Sequence, residues 1–556
     1  MDCLSSPVLI VGAGPVGLAL AVELGSRGHR CLLIERNDRV GYAPRAKTTH
    51  IRTRQHLRRW GIADKLASAA PFGIGYPSNV VYVTRLAAEG LARFADAFNC
   101  APLRNDLYCE HAQWIPQYRL EEVLRAHLTT LPSVQVRFSC ELLSVTDVAD
   151  GVSSQVRDLT NGTTFEARSA FLVGADGSRS RVREIIGARM EGTHGLSRNY
   201  NIVFRAPGLA KAHGHGPAVM YWQVNSDMPS LIGPMDRDDK WFFMPTAVPS
   251  GVRLNDQEAG TLIRRTTGID LPYEVLSTDE WVASRFIADR YQRGRIFLAG
   301  DACHLHPPFG GYGMNMGIAD GVDLGWKLGA VLEGWGGPAL LGSYEMERRP
   351  LHQQVIDEAA ANHGLLGNQL WREGLEGADS AGAALRREVG AIISREKARE
   401  FHSLPVVLGY SLGLSEVIVA EGPSLTLPKG GGPYQPSARP GCLAPHVWVD
   451  ADRALYDLFG PGFTLISTAG VPRQVLDRIR ADAGETGIPL RILELLDARY
   501  GALYEAPLIL VRPDQHVAWR GAIWPGTGLL RRVAGWGVGV RFHGTTGPRS
   551  AQSGPR

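Results

Sequence analysis

The sequence predicts an α/β protein made of several domains, and three observations support this prediction. Glycine-rich turns follow short apolar runs at three widely separated places, within residues 12–17, 174–177 and 300–313. Aromatic and β-branched runs bounded by Gly, Pro and Asp lie between the second and third turns, a pattern typical of strands. A Gly/Pro/Ser-rich connector at 421–441 is followed by a further alternation of strands and helices. Because the chain has 556 residues, we expect two or three domains rather than a single core.

The first glycine-rich turn predicts a Rossmann-like dinucleotide site. The apolar run Val8–Val11 predicts a buried strand, which leads into Gly12, Gly14 and Gly17 and then into an Ala/Leu-rich helix. In this motif the first glycine permits the tight turn, the second lets a pyrophosphate approach, and the third lets the helix pack on the strand. Glu35 ends the next apolar run, 18 residues after Gly17. This spacing is close to the roughly 20 residues at which an acid in this motif meets a ribose hydroxyl. This segment alone does not separate NAD from FAD.

Two later segments favour FAD. At 171–183, a strand, a turn and a helix start place Asp176 where backbone N–H groups converge, although Asp176 and Ser178 are also ordinary helix caps. At 296–315, an apolar strand leads to Asp301, a proline-rich bend, three glycines and a helix that we expect to begin near Met314. Asp301 can accept hydrogen bonds from polyol hydroxyls, and the helix N-terminus can stabilise negative charge on a reduced ring. A flavin fits this chemistry.

Together, the three segments resemble the single-component FAD-dependent aromatic hydroxylases, the group A flavoprotein monooxygenases. GAGPVG is similar to the family's FAD-binding turn, GADGSRSRVR to its motif for FAD and NADPH, and GDACHLHPPFGGYGMN to its motif for the ribityl chain and flavin ring. The resemblance covers about residues 7–350. It implies the following cofactor-binding residues: Gly12, Gly14, Gly17, Glu35, Arg36, Arg45, Gln117, Asp176, Asp301, Pro308, Gly311, Gly313, Met314 and Asn315. The sequence departs from many relatives at Tyr312 and Cys303, and neither departure removes a contact named here.

The resemblance also implies a reaction. NAD(P)H, with NADPH preferred by analogy, reduces FAD, and the reduced flavin reacts with O2 to give a C4a-hydroperoxide. The distal oxygen is then transferred to an aromatic carbon of a phenolic or polycyclic polyketide-type substrate. Three alternatives stay open: Baeyer–Villiger oxidation of a related ketone, an NAD(P)-dependent dehydrogenase, and a non-catalytic flavoprotein. A flavin halogenase is disfavoured, because only Trp114-Ile115-Pro116 of the halogenase WxWxIP string is present.

The intervening segments are expected to form a β-sheet that covers the substrate. The runs 218–224 and 240–245 are apolar on both faces, so their alternation does not show which side chains face a ligand. Tyr221, Trp222 and Phe243, with Pro308, are the candidates for pocket walls, and the sequence identifies no catalytic base. His304 and His306 lack the acid or cysteine cluster of a metal site, so no metal is expected.

The predicted domain organisation is discontinuous. Residues 1–75, 105–190 and 285–365 form the FAD-binding domain, and residues 76–104 and 191–284 form the substrate-binding sheet. A helical segment follows at 366–420, then a linker at 421–441, an α/β domain at 442–542 and a disordered tail at 543–556. The α/β domain, with its string RPDQHVAWR, resembles the thioredoxin-like C-terminal domain of phenol- and polyketide-hydroxylase-type members. Because Cys442 has no cysteine nearby in sequence, we expect a structural or assembly role and predict that truncation after about Glu421 leaves flavin binding intact.

Composition agrees with a cytoplasmic enzyme. The 59 basic and 56 acidic residues, a net charge of +3, do not point to nucleic acid or a membrane surface as partners. Seven dispersed cysteines without a CxxC pair indicate reduced thiols, and we expect neither a signal peptide nor a transmembrane span. The expected partners are a small aromatic substrate and O2. The sequence does not decide whether the chain forms a homodimer. A basic cluster is formed by Arg52, Arg54, Arg58 and Arg59. We expect it to be a solvated helix face rather than a patch that steers the phosphates of NADPH.

Overall fold

The computed structural model describes residues 3–38, 46–237, 239–364, 367–413, 415–423, 426–427, 432–468 and 470–537. Arg45, the glycines at 430 and 431, and the predicted tail at 543–556 lie outside these residues. The α-helices are α1 Pro15–Ser26, α2 Ile51–Arg59, α3 Ala63–Ser68, α4 Gln117–Leu128, α5 Arg181–Ile186, α6 Asp256–Thr267, α7 Tyr312–Leu332, α8 Pro338–His363, α9 Gly367–Leu370, α10 Ser380–Glu396, α11 Ala398–Phe401, α12 Leu404–Val407, α13 Arg473–Thr486, α14 Ala498–Tyr504 and α15 Thr527–Val533. Short 3-10 helices lie at Ala97–Asn99, Leu209–Lys211, Gly300–Ala302 and Leu455–Leu458.

A six-stranded sheet brings the three glycine-rich turns together. Its strands lie in the order Gln292–Arg293, Ile296–Leu298, Phe171–Gly174, Val8–Val11, Cys31–Ile34 and Val134–Arg137. All pairs are parallel except the first. The three strands that precede the turns are neighbours, so their carboxyl ends open at one edge of the sheet. This arrangement confirms the Rossmann-like prediction.

Smaller sheets flank this core. A four-stranded sheet has the order Cys3–Ser5, Thr164–Ser169, Gly151–Asp158 and Cys140–Val148. Strand Thr48–Thr49 pairs with Gln113–Trp114 beside the candidate site. No helix within the described residues combines the length and apolar character needed to cross a membrane.

An eight-stranded sheet separates two apolar clusters. Its strands lie in the order His304–Leu305, Glu274–Ala288, Met190–Arg205, Lys240–Pro245, Ser230–Pro234, Met220–Gln223, Val80–Val83 and Gly90–Phe94. Tyr82, Trp222 and Phe242 lie in one cluster, together with Phe309. Neighbouring side chains on the same strands lie in the other cluster, which includes Ala259 and Ile263 of helix α6. The predicted domain boundaries stay a prediction.

The C-terminal region contains a mixed sheet of thioredoxin-like order. Its strands lie in the order Leu490–Leu495, Phe463–Thr468, Leu508–Val511 and Val517–Gly521. The first pair is parallel and the other two are antiparallel. Helix α13 connects the parallel strands, α14 precedes the third strand and α15 follows the fourth. The predicted fold class is therefore confirmed for this part of the chain. All seven cysteines are free thiols.

The solvated helix face expected for the arginines of α2 is wrong. Arg52 and Arg54 are buried. Arg54 forms an ion pair of 2.7 Å with Glu110, and Arg52 donates a hydrogen bond to the backbone carbonyl of Asp514. Arg58 reaches Asp457. Arg52 and Arg54 face inward because each has a carboxylate or carbonyl partner that lies far away in sequence, which a composition argument does not reveal.

Candidate flavin site

The first glycine turn is shaped for a ligand at the start of helix α1. Gly12 has φ of +105°, and a Cβ there would lie 2.4 Å from the carbonyl oxygen of Ala175. A Cβ at Gly17 would lie 1.9 Å from the carbonyl oxygen of Gly12. By contrast, a Cβ at Gly14, the residue before α1, would meet no described atom within 4 Å. Gly12 and Gly17 are thus required by the fold, and Gly14 leaves open space at a helix N-terminus, which fits a pyrophosphate.

Glu35 is held against this turn. Its carboxylate accepts hydrogen bonds from the backbone N–H of Ala13 at 2.9 Å and from the backbone N–H of Asn37 at 3.0 Å. The side-chain amide of Asn37 also donates to it at 2.7 Å. Arg36 is exposed beside it. These contacts orient Glu35 at the turn, where the motif requires an acceptor for ribose hydroxyls.

Asp176 caps a helix in the second turn. Its carboxylate accepts from the backbone N–H groups of Arg181 at 2.7 Å and Val182 at 3.1 Å, and from the hydroxyl of Ser180 at 2.5 Å. Burial raises the pKa of this carboxyl, although the hydrogen bonds that it accepts oppose the rise. Arg183 donates to the backbone carbonyl of Ala302 at 3.0 Å. The capping role is therefore observed, the second turn is tied to the third, and a cofactor contact of Asp176 stays a prediction.

The third turn presents its predicted residues at the same sheet edge. Asp301 lies exposed in the 3-10 helix that follows strand Ile296–Leu298. Pro308 is also exposed, and Gly313 and Met314 are half-buried in the first turn of α7. Helix α7 begins at Tyr312, two residues before the predicted start, because Gly311 has φ of +68° and ends the preceding loop.

Asn315 positions the loop through side-chain contacts. Its amide donates to the carbonyls of Thr48 at 2.9 Å and Gly311 at 2.8 Å. Its oxygen accepts from the backbone N–H of His50 at 2.8 Å and the hydroxyl of Thr53 at 2.7 Å. The side chain is buried with both amide donors used, so Asn315 joins the starts of α2 and α7. Sequence reasoning missed His50 and Thr53, since neither belongs to a recognisable motif.

Gln117 lies at the start of helix α4. Its side-chain amide donates to Glu121 at 2.7 Å, and its backbone N–H donates to the carbonyl of Ala46 at 2.9 Å. It therefore fixes the chain next to Lys47. A direct contact of Gln117 with the cofactor stays a prediction.

Of the sheet residues expected to line the pocket, Trp222 alone packs toward the loop that contains Pro308. The Trp222 ring stacks on Tyr82 at 5.9 Å and on Phe309 at 6.2 Å between ring centroids. Tyr221 and Phe243 lie in the cluster on the other face of the sheet, which corrects those two candidates. The reason is that successive side chains of a strand point to opposite faces.

Several charged residues near the aromatic face were not predicted. The ammonium of Lys47 lies 4.0 Å from the centroid of the Phe242 ring, and burial lowers its pKa to about 8. Glu400 accepts from Lys397 at 2.9 Å and from the backbone N–H of Gly310 at 3.3 Å. This buried pair ties the helical segment after α10 to the flavin loop. The sequence shows the charges and gives no sign of this contact.

A small cleft lies beside the Thr48–Thr49 strand pair. Its walls include Phe72, Tyr76, Gln113, Trp114 and Val219. The rings of Phe72 and Tyr76 are 4.5 Å apart. The cleft offers an aromatic-walled opening at the edge of the sheet.

Comparison with known proteins agrees with this geometry. The model of the FAD binding domain family matches residues 5–359, and that of the aromatic-ring hydroxylase C-terminal family matches residues 437–537. The chain belongs to the FAD-dependent aromatic-ring hydroxylases. As a hydroxylase of this family it is a flavoprotein monooxygenase, which confirms the resemblance carried by the three glycine motifs and FAD as the cofactor.

Similar proteins cover nearly the whole hydroxylase. Tetracenomycin B2 monooxygenase-dioxygenase of Streptomyces olivaceus is 32% identical over 94% of this chain and 96% of its own length. 4-methyl-5-nitrocatechol 5-monooxygenase of Burkholderia sp is 31% identical over 92% and 94%. The solved structure of the rebeccamycin biosynthetic enzyme RebC with reduced flavin matches with a TM-score of 0.88 at 32% identity, covering 96% of this chain and 100% of that one. Aklavinone-11 hydroxylase with FAD and aklavinone matches with a TM-score of 0.81 at 28% identity, covering 96% and 100%.

Proposed function

We propose that this hydroxylase uses NAD(P)H and O2 to hydroxylate a phenolic, polycyclic aromatic substrate. One observation carries the proposal: Phe309, in the loop of the third glycine turn, stacks on Trp222, and Trp222 stacks on Tyr82, so this loop packs against aromatic side chains of the eight-stranded sheet. Among the similar proteins, one from Streptomyces halstedii is named a putative polyketide hydroxylase, and aklavinone-11 hydroxylase is solved in complex with FAD and aklavinone.

The residues of the three turns fit FAD. Bound FAD would supply the redox chemistry, taking reducing equivalents from NAD(P)H and activating O2 for oxygen transfer. Gly14 leaves room for the pyrophosphate, Glu35 would hold the adenosine ribose, and Asp301 would accept from the ribityl hydroxyls. Pro308 and the first turn of α7 would hold the ring system.

The substrate face offers aromatic surface with a few polar groups. The hydroxyl of Tyr82 and Nε1 of Trp222 are buried and have no hydrogen-bond partner within the described residues. Buried donors of this kind are costly unless paired, so a carbonyl or phenolate oxygen of the substrate is a matching partner. The ammonium of Lys47 on the same face would stabilise a phenolate.

The test begins with the visible spectrum of the purified protein. NADPH consumption under air is then measured with and without simple phenols and polycyclic quinone-phenols, and with NADH for comparison. Flavin bands, with oxidation accelerated by a polycyclic phenol and an added oxygen atom in the product, are expected. A colourless protein that FAD does not reconstitute would refute the proposal, and so would a yellow protein that no phenol stimulates. Insertion of oxygen into a ring ketone would favour Baeyer–Villiger chemistry instead.

A further inference from the structure

A buried hydrogen-bonded network lies directly behind the flavin loop. Asp320 of α7 is completely buried. Its carboxylate accepts from the backbone N–H of Gly300 at 3.0 Å, from Nε2 of His304 at 2.7 Å and from Nε of Arg348 at 2.7 Å. Nε2 of His352 lies 3.1 Å from the same carboxylate. The carboxylate is thus surrounded by nitrogen partners, which leaves little room for a metal ion despite the nearby thiol of Cys303.

This environment keeps Asp320 charged. Burial alone would raise its pKa, but His352 and Arg348 hold the pKa well below its usual range. A carboxylate only accepts hydrogen bonds, so Nε2 of His304 carries a proton and donates it to Asp320. In neutral His304, Nδ1 is then an acceptor.

His306 completes the chain and ends it on an open acceptor. Nδ1 of His306 lies 3.3 Å from Nδ1 of His304, so His306 is the donor of that bond when His304 is neutral. Burial, with His304 and His352 nearby, lowers the pKa of His306 well below its usual value, which keeps His306 neutral. While His304 is in the neutral form with its proton on Nε2, Nε2 of His306 is therefore a lone-pair acceptor. This nitrogen is buried and has no hydrogen-bond partner in the part of the chain that the structure describes.

The location of His306 links this acceptor to the flavin loop. It directly precedes Pro307 and Pro308. A Cβ at Gly313, in the first turn of α7, would lie 3.9 Å from Cβ and from Nδ1 of His306. Pro308 and Gly313 are both expected to line the flavin ring, so His306 is a titratable side chain in contact with that loop. Unpaired buried acceptors are rare and call for a partner.

We propose that His306 is the proton acceptor for the phenolic hydroxyl of the substrate, with His304 and Asp320 as positioning residues. The proposal rests on the proposed function. The phenol O–H bond breaks and an Nε2–H bond forms on His306, whose Nδ1 proton moves to Nδ1 of His304. The substrate is left as a phenolate, and the positive charge resides on His304, 2.7 Å from the Asp320 carboxylate. His306 itself stays neutral, and the cation forms beside the Asp320 carboxylate, which offsets the cost of burying its charge.

The first test is independent of any substrate. The 15N NMR spectrum of histidine-labelled, FAD-loaded protein is recorded, and the His306 signals are assigned by their loss in His306→Gln. We expect an Nδ1–H tautomer with unprotonated Nε2 at neutral pH. A protonated Nε2 would overturn the proposal. Loss of the free Nε2 signal on loading the apoprotein with FAD would also overturn it, because the flavin would then be the partner.

The second test uses the phenol that most accelerates NADPH oxidation. His306→Gln is expected to lower kcat/KM at neutral pH by about 10²-fold or more, the usual contribution of a general base, and to recover at a pH where the free phenol ionises. His446→Gln is the matched control, because both ring nitrogens of His446 are also buried without hydrogen-bond partners among the described residues. The control should behave as wild type. An unchanged His306→Gln, or a loss that high pH does not rescue, would overturn the proton-acceptor role. Absence of phenol-dependent oxidation in wild type would refute the proposed function as well, while the tautomer result would stand separately.

Discussion

Helix α7 carries two buried acids, Asp320 and Asp323, less than one turn apart, and each is the centre of a different kind of cluster. The Asp320 cluster lies behind the flavin loop and contains the imidazoles of His304 and His352. The Asp323 cluster contains Lys327, which donates to Asp323 at 2.9 Å. The first ends on Nε2 of His306, which has no hydrogen-bond partner among the described residues, whereas the second reaches into the C-terminal region.

Arg512 makes this second link. Its completely buried guanidinium donates to Glu347 at 2.8 Å, to Asp323 at 3.1 Å and to Asp514 at 2.6 Å. Lys327 also donates to Glu347 at 2.9 Å. Three carboxylates thus share two cations. A buried carboxylate without its cation is costly, so the folded state of α7 depends on the residue that the C-terminal region supplies.

One helix therefore serves two purposes in adjacent turns. The flavin side of α7 keeps titratable groups that can change their protonation, and the other side uses permanent ion pairs to hold the C-terminal region. Arg52, next to Thr53 in α2, also donates to the carbonyl of Asp514. The C-terminal region therefore contacts both helices that Asn315 joins at the candidate flavin site.

The largest expected effect comes from breaking this link. Arg512→Met should destabilise the fold by about 3–5 kcal/mol, because it leaves buried carboxylates uncompensated. Truncation after about Glu421 removes Arg512 altogether and should yield protein that does not hold FAD. This replaces the expectation, from sequence alone, that the truncated chain keeps its flavin. Urea unfolding and flavin content are the measurements. Arg480→Met, which removes an exposed arginine paired with Asp477, is the control and should change stability by less than about 1 kcal/mol. A truncated, yellow protein with a wild-type spectrum would show that the two parts are independent.

A matched pair of substitutions on α7 separates the two clusters. Asp320→Asn should cost about 3 kcal/mol, because it leaves Arg348 buried without its carboxylate. Asp323→Asn should cost about 1 kcal/mol or less, because Arg512 and Lys327 keep Glu347 and Asp514 as partners. Denaturant midpoints of the two variants give the comparison. Equal losses would mean that the excess of carboxylate around Asp323 has no energetic consequence.

The sequence predicts best what depends on local backbone geometry. Gly12 and Gly17 are recognisable because a Cβ at either position would collide with backbone, and such constraints recur wherever the turn is used. The partner of Arg54 or Arg512 is not predictable in this way, because the contacts to Glu110 and Glu347 depend on how distant segments pack. The face of the sheet on which Tyr221 lies is also not predictable from the sequence, since both faces of its strand are apolar.

Acid should weaken the two clusters in different pH ranges. Burial lowers the pKa of His352 to about 3, so the unfolded chain binds its proton first and stability is lost as the pH falls from about 6.5 toward 3. Arg512 and Lys327 hold the pKa of Glu347 at about 2 against the effect of burial, so its contribution is present above about pH 4.5 and is lost below it. Each group changes the unfolding free energy by up to about 1.4 kcal/mol per pH unit in its range.

Two variants test which residue causes each change of the unfolding free energy with pH. His352→Gln should flatten the dependence of the urea midpoint on pH between about 6.5 and 4, and Glu347→Gln should flatten it only below about 4.5. Each variant is the control for the other. The assignment fails if both variants change the same part of the profile.

The smallest effect on stability is expected at the outer edge of the flavin loop, where a substitution should nevertheless weaken FAD binding strongly. Asp301 is exposed, so Asp301→Ala should change the stability of the apoprotein by about 0.5 kcal/mol or less. The substitution removes the proposed acceptor for the ribityl hydroxyls, and hydrogen bonds to a charged group contribute about 1.5–3 kcal/mol, so the FAD dissociation constant should rise roughly 10-fold to 100-fold. Flavin fluorescence during titration of the apoprotein measures it. Asp289→Ala, near the start of the adjacent strand, is the control and should bind FAD as wild type does. If Asp301→Ala is fully occupied by FAD at concentrations near the wild-type dissociation constant, Asp301 does not bind the cofactor. The Asp320 cluster would then be the remaining polar contact that holds this loop in place.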